Sequence, residues 1–255
     1  MAEQSGPYKR APITEAIIDL RVTLPEETRV EALRDLHARL PDTYEAPKEC
    51  FEALAHIDLA GPSPITRTER SHRGYRFDRA DGKRVLTVKL DGFSYSFLPP
   101  YDRWDSFRGE AKQLWDIYRE SSGPTLVIRV AVRYINRINV PLRAADTKGS
   151  LRLEDFFRTY PQITEDLSYN TMAGFIMQVQ VPQPDIESIL MLNQAVVQPE
   201  EPGVLSVVLD LDLFRGVQWD PNDDELVWGF LDQLRVRKNE AFEASITDNT
   251  RELFK

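Results

Sequence analysis

The sequence predicts an α+β fold, and three observations lead to that class. Several short segments alternate apolar and polar residues, as β-strands with one buried face do. Two longer segments, 103–119 and 223–243, instead place apolar residues at helical spacing. Two Asp-Gly pairs, at 81–82 and 91–92, separate alternating segments, where glycine permits the tight turn of a β-hairpin. Together these features favour antiparallel strands with helices packed against them.

The elements follow a similar order in the two halves of the chain. The first half is predicted to contain a strand at 13–24, a helix at 26–40, strands at 51–59, 74–79, 83–90 and 93–98, and a helix at 103–119. The second is predicted to contain a strand at 125–140, a short helix at 153–160, strands at 172–181, 186–197 and 204–214, a helix at 223–243 and a last helical turn at 249–254.

This order predicts an internal duplication, with one β-α-β(3–4)-α unit at residues 8–122 and a second at 124–255. We expect the two units to form one curved antiparallel sheet with helices packed on one face, as a single compact domain. The residues of the two halves do not align well. The alternative is therefore a shared element order without common ancestry.

Composition limits the classes of protein to consider. The 255 residues are 42% hydrophobic and 29% charged, which is typical of a globular chain. The single cysteine, Cys50, excludes an internal disulfide and a cysteine-rich zinc site. The three histidines lack the spacing of a metal-binding pair, and no nucleotide-binding fingerprint is present, so we expect no metal and no cofactor. We expect a cytoplasmic protein, because neither a signal peptide nor a membrane-spanning stretch is found.

Three segments together resemble a known family. They are APITEAIID at 11–19, RYINRI at 133–138 and FEASITD at 242–248. They are similar to segments of a sporadically distributed family of prokaryotic proteins of about this length, whose function is uncharacterised. The resemblance implies a role in a mobile prokaryotic conflict system, such as phage defence or a toxin–antitoxin pair. It supplies no catalytic residues.

Arginines recur on one face of the strand predicted at 125–140, and acidic residues on one face of the first strand. Since side chains alternate along a strand, residues spaced by two or four share a face. If the two strands are neighbours, their charges meet as ion pairs. The candidate ligand-binding residues are Arg129, Arg133, Arg137, Glu15, Asp19 and Asn136. They predict a polar sheet face that binds a small anion such as a nucleotide, with Glu15 or Asp19 as a base. The alternative is a structural ladder of salt bridges.

A second basic region lies between residues 66 and 89. Arginine binds phosphate through two parallel hydrogen bonds, and aromatic rings stack on bases. The candidate phosphate or nucleic-acid contacts are Arg67, Arg70, Arg73, Arg76 and Arg84. The alternative is a solvated hairpin whose charged strands deter aggregation. The net charge of −9 opposes general binding to nucleic acid but not a local site.

The C-terminal helical region is rich in large apolar residues. Trp228, Phe230 and Phe254 are candidates for a surface that contacts a protein partner or a second copy. Packing against the sheet is the alternative.

Because no catalytic motif is found, we predict a non-enzymatic binding or sensing protein, with a protein partner or homodimerisation. An enzyme or receptor for a small anionic ligand, and a nucleic-acid contact through the basic hairpin, are the alternatives.

Overall fold

The computed structural model describes residues 8–58, 65–101, 103–142, 151–169 and 172–255, apart from the side chains of 54–58 and 65–69. Within these ranges the strands are β1 (Ile13–Thr23), β2 (Lys48–Asp58), β3 (Ile65–Asp78), β4 (Arg84–Lys89), β5 (Gly92–Phe97), β6 (Leu126–Pro141), β7 (Ile176–Gln183), β8 (Ser188–Val197) and β9 (Val204–Trp219). The helices are α1 (Trp104–Ser122), α2 (Asp224–Ser245) and α3 (Asp248–Glu252), with 3-10 helices at Val30–Arg39, Leu153–Asp155 and Pro184–Ile186.

The described strands form one antiparallel sheet in the order β2-β3-β4-β5-β1-β6-β9-β8-β7, which confirms the α+β class. Both predicted hairpins are present: β3 pairs with β4, and β4 pairs with β5. Outward from β1 the sheet continues with β5, β4, β3 and β2. Outward from β6 it continues with β9, β8 and β7. In each half of the chain, the last strand therefore lies beside the first.

The chain groups into two compact units, which share several elements. Unit 1 contains the described parts of Met1–Ile17, Ala131–Gly216 and Trp228–Lys255. Unit 2 contains those of Ile18–Val130 and Val217–Val227. Strands β1, β6 and β9 and helix α2 contribute residues to both.

The core of unit 2 lies between α1 and the hairpin strands. Phe107, Trp115 and Tyr118 recur along one stripe of α1 and are fully buried, and the Trp115 ring lies 5.6 Å from that of Phe93 on β5. Helix α1 ends at Gly123, whose φ of 60° is accessible to glycine without strain. Gly74 on β3 is required for a different reason. A Cβ there would lie 2.0 Å from the carbonyl oxygen of Val88, so only glycine allows the two strands to approach this closely.

The core of unit 1 lies between α2 and the even-numbered face of β6. Leu231 and Leu234 of α2 are fully buried. One turn further, Lys238 is only 6% exposed, and its ammonium lies 3.5 Å from the centre of the Tyr134 ring. Beyond α3, the Phe254 ring packs at 5.2 Å from the ring of Tyr8.

Two segments predicted as ordinary helices are 3-10 helices instead. In the first, Val30–Arg39, the buried residues are Leu33 and Leu36. Their spacing of three matches the three residues per turn of a 3-10 helix better than the 3.6 of an α-helix. The second extends only over Leu153–Asp155. None of the helices in the described part of the chain combines the length and apolar character needed to cross a lipid bilayer.

Candidate functional site

The three arginines of β6 all lie on its odd-numbered face, and each is held by a carboxylate. In unit 2, Arg129 Nη1 donates to Asp19 Oδ1 at 2.6 Å, the pairing expected for neighbouring β1 and β6. Arg21 also lies 3.4 Å from Asp19 and contacts Asp91 at 2.7 Å. Asp19 is therefore engaged by two cations, which does not leave it as a free base.

In unit 1, Arg133 begins a row of hydrogen bonds that crosses four strands. Its Nε and Nη2 donate to the two oxygens of Asp210 on β9, at 2.8 and 2.7 Å. Asn193 on β8 donates to Asp210 Oδ2 at 3.1 Å, and Gln178 on β7 donates to Asn193 Oδ1 at 2.7 Å. We call these four residues the Arg133 row. The hydrogen bond to Asp210, opposed by partial burial, raises the pKa of Arg133, so its charge is permanent.

The two ends of the Arg133–Asp210 pair differ in exposure. The Asp210 side chain is 8% exposed, whereas that of Arg133 is 42% exposed. The fork geometry uses Nε and Nη2 for Asp210, and Nη1 carries further N–H donors. A buried carboxylate thus holds a half-exposed guanidinium in a fixed orientation.

The remaining candidates for the ligand site are arranged differently from the expectation. Arg137 pairs at 2.7 Å with Glu200, whose side chain is 79% exposed. The charge of Glu15 contributes to the raised pKa of Arg133. Asn136 is 2% exposed and donates to the carbonyls of Leu209 and Tyr134, at 3.0 and 3.3 Å. Its even position places it on the opposite face of β6 from the arginines, so it belongs to the core side.

This geometry predicts unequal costs for removing two of these arginines. Arg133→Ala leaves the carboxylate of Asp210 without its cation in a nearly buried position, and we expect the free energy of unfolding to fall by about 2–3 kcal/mol. Arg137→Ala releases an exposed carboxylate and should cost about 0.5 kcal/mol or less. Urea denaturation of both variants at pH 7 measures the difference. Equal costs would show that Asp210 does not depend on Arg133.

The basic hairpin carries its charges largely in pairs. Arg70 lies over the Phe51 ring, 3.7 Å from its centre, Arg73 lies 3.4 Å from Glu52, and Arg76 bonds Asp78 at 2.7 Å. The side chain of Arg67 lies outside the described residues. The pairing favours the interpretation of a charged, solvated hairpin over a phosphate-binding one.

Arg84, the last candidate in that region, belongs to a part-buried cluster beneath α1. Its Nε donates to Glu110 Oε2 at 2.8 Å, and Tyr95 donates to the same oxygen at 2.6 Å. Burial acts to raise the pKa of Glu110, but the hydrogen bonds from Tyr95 and Arg84 outweigh it and lower that pKa. The Arg84 side chain is 10% exposed and lies over the Phe97 ring. The cluster connects α1 to β4 and β5, and the Arg84 guanidinium in it is shielded from solvent.

The candidates for a partner surface are all buried. Trp228 is 1% exposed, Phe230 6% and Phe254 4%. This burial favours core packing, the alternative stated for the same residues.

Two charged residues that are nearly buried, Asp210 and Lys238, escaped sequence reasoning. Asp210 alternates with leucines on β9 and looks like part of an ordinary outward-facing strand. Its role depends on β9 lying beside β6, which no local pattern encodes. Lys238 did carry a signal, because it continues the buried stripe of Leu231 and Leu234 at helical spacing.

Within the described ranges, no group of three or more histidine, cysteine, aspartate or glutamate side chains is placed to hold a metal ion. No protein-family model matches the chain, and no curated protein matches it significantly. The resemblance of the 11–19, 133–138 and 242–248 segments to a prokaryotic family therefore stays a prediction.

Proposed function

We propose that this protein acts by binding another protein and not by catalysis, through the exposed side of the Arg133 row. The observation that carries the proposal is the Arg133–Asp210 pair, in which a nearly buried carboxylate orients a half-exposed guanidinium. Arginine is enriched at protein interfaces, and a side chain that is already ordered loses little entropy on binding. An acidic group on the partner fits the outward part of the guanidinium.

The ion pairs of the neighbouring arginines support binding over anion chemistry. A phosphate-binding site needs several uncompensated cations aimed at one point. Here Arg129 is paired with Asp19 and Arg137 with Glu200. Asp19, the candidate base, contacts Arg21 and Arg129. A receptor for a small anion stays the alternative, and the exposure of Arg133 is the feature that favours it.

Two further proposals concern origin and role. In the sheet, β5 lies beside β1 and β9 lies beside β6. This mirrored order supports a duplication of residues 8–122 and 124–255. The resemblance stated for the three sequence segments supports an accessory role in a mobile prokaryotic conflict system. For that role, we expect deletion of the gene to change phage plaquing efficiency or the toxicity of a neighbouring gene product. A deletion that changes neither would remove the support for it.

The binding proposal is tested with a variant that removes the guanidinium without leaving a buried charge. The double change Arg133→Met with Asp210→Leu removes both partners, which is often nearly neutral for stability. We expect this variant to lose a partner that the wild-type protein retains stoichiometrically when purified from its native cells. The matched control is Arg152→Met with Glu154→Leu, an exposed pair with N···O at 2.6 Å, and it should retain the partner.

One result would contradict the proposal directly. If the purified protein turned over a nucleotide or nucleic acid, and Glu15→Gln or Asp19→Asn abolished that turnover, the protein would be an enzyme.

A further inference from the structure

We propose that strand β7 is a self-association edge, along which a second copy of this chain adds its own β7 in antiparallel orientation. Among the described strands, β7 is the last of the nine-stranded sheet on one side. Six of its eight residues are exposed, and Ile176 is 89% exposed. An uncovered edge strand presents unpaired backbone N–H and C=O groups, which are a template for another strand. Gln178 ends the Arg133 row, but this edge binds through the backbone groups of β7 and not through the Arg133 guanidinium, and the proposal does not depend on the proposed function.

The composition of β7 is that of a strand that accepts a partner. Natural edge strands are usually protected by charged side chains. The sequence of β7, IMQVQVPQ, contains no charged residue. The strand at the opposite edge, β2, has the sequence KECFEALAHID with four charged residues. With a net charge of −9 per chain, two copies repel each other over most of their surface, and an uncharged segment is where they meet at least cost.

Backbone hydrogen bonding shows which groups of β7 face outward. Val196 N donates to the carbonyl oxygen of Phe175 at 3.1 Å, and the register of β7 with β8 continues without a shift. Since antiparallel neighbours exchange bonds at every second residue, the odd-numbered residues of β7 bond to β8. Ile176, Gln178 and Gln180 therefore direct their N–H and C=O groups away from the sheet. Pro182, which has no N–H, occupies the next outward position, as prolines in edge strands do.

Pro182 also selects the register. If the two-fold axis lies at Gln178, this residue faces its own copy, and Ile176 faces Gln180 of the second copy. All positions in that register have an N–H, and about six backbone hydrogen bonds form. If the axis lies at Val179, Ile176 faces Pro182 of the second copy. Two of about eight possible bonds are then lost, which leaves about six, but the carbonyl of each Ile176 faces a proline that has no N–H to donate. The geometry therefore favours the axis at Gln178.

The interface is narrow, so the dimer should be weak. Interfaces below roughly 1,200 Å² are usually transient, and we expect a Kd on the order of 10 μM. Sedimentation equilibrium of the full chain up to about 100 μM should show a reversible monomer–dimer equilibrium. Gln178→Lys places two like charges opposite each other on the axis and should weaken association by about tenfold or more. Circular dichroism verifies that this variant keeps its fold.

Cross-linking tests the register itself. Facing Cα atoms of a hydrogen-bonded pair lie about 5.5 Å apart, within disulfide range. In a Cys50→Ser background, Gln178→Cys should form a covalent dimer under mild oxidation. The matched control Gln180→Cys should not, because its thiols lie about 14 Å apart along the strands. A wild-type chain that stays monomeric at about 100 μM, or a dimer that neither Gln178 variant affects, would overturn the proposal. In the first case the edge would be left for a strand of a different protein.

Discussion

Replacing Trp228 by alanine is expected to lower the free energy of unfolding by about 3–5 kcal/mol. Trp228 is 1% exposed on α2, so the substitution removes buried apolar area and leaves a cavity that the surrounding residues fill only in part. Equilibrium denaturation in urea, with the m-value monitored, measures the loss. An interface residue in a monomer is exposed, and its truncation would instead leave stability almost unchanged.

The control for this prediction is Val236→Ala on the same helix. Val236 is 51% exposed, and its truncation should change stability by about 0.5 kcal/mol or less. If Trp228→Ala were as mild as this control, the tryptophan would not be part of the core, and the partner-surface interpretation of the C-terminal helices would return.

Replacing Lys238 by methionine is expected to stabilise the protein at neutral pH. Burial, together with the charge of Arg235, lowers the pKa of the Lys238 ammonium to about 7, while the charge of Glu243 opposes this shift. In the unfolded chain the lysine titrates near its ordinary pKa of 10.5. Between these values the unfolded state binds more protons than the folded state, so the wild-type stability rises with pH.

The expected sizes follow from this linkage. At pH 6.5 the charged ammonium is buried, and Lys238→Met should raise the free energy of unfolding by about 1–3 kcal/mol. Near pH 10 the wild-type lysine is neutral when folded, so the linkage removes this advantage, and Lys238→Met should then be no more stable than the wild-type protein. Chemical denaturation at both pH values measures the change, and Lys255→Met, at an exposed position, is the control. A lower stability of Lys238→Met at pH 6.5 would mean that the ammonium has a favourable buried role.

The parts of the fold that local sequence determines were predicted well. The segments around the two Asp-Gly pairs place β3, β4 and β5 in consecutive hairpins, because a connection of only a few residues brings the strands on either side of it together. The stripe of Phe107, Trp115 and Tyr118 predicts α1 because helical spacing is itself a local property. The spacing of Leu33 and Leu36 fits either kind of helix over so short a segment, and only the structure distinguishes them.

The sequence predicts only part of the site, because the partners of the arginines come from strands that are distant along the chain. The arginines of β6 were placed on one face by their spacing alone, and Asp19 was correctly expected to face one of them. Asp210 and Glu200 become partners of Arg133 and Arg137 only because β9 lies beside β6. A strand order is set by the burial of the whole sheet, and no short motif encodes it. The open edge at β7 could not be predicted from the sequence either, because it depends on the order of the strands across the sheet.

The most direct test of the account is the mass of the purified protein measured by native mass spectrometry, which reports bound small molecules and subunit number together. The paired arginines predict monomer and dimer masses with no added small anion. A co-purifying anion that is lost in the variant with Arg133→Met and Asp210→Leu would contradict the account, because it would make the exposed guanidinium a ligand site.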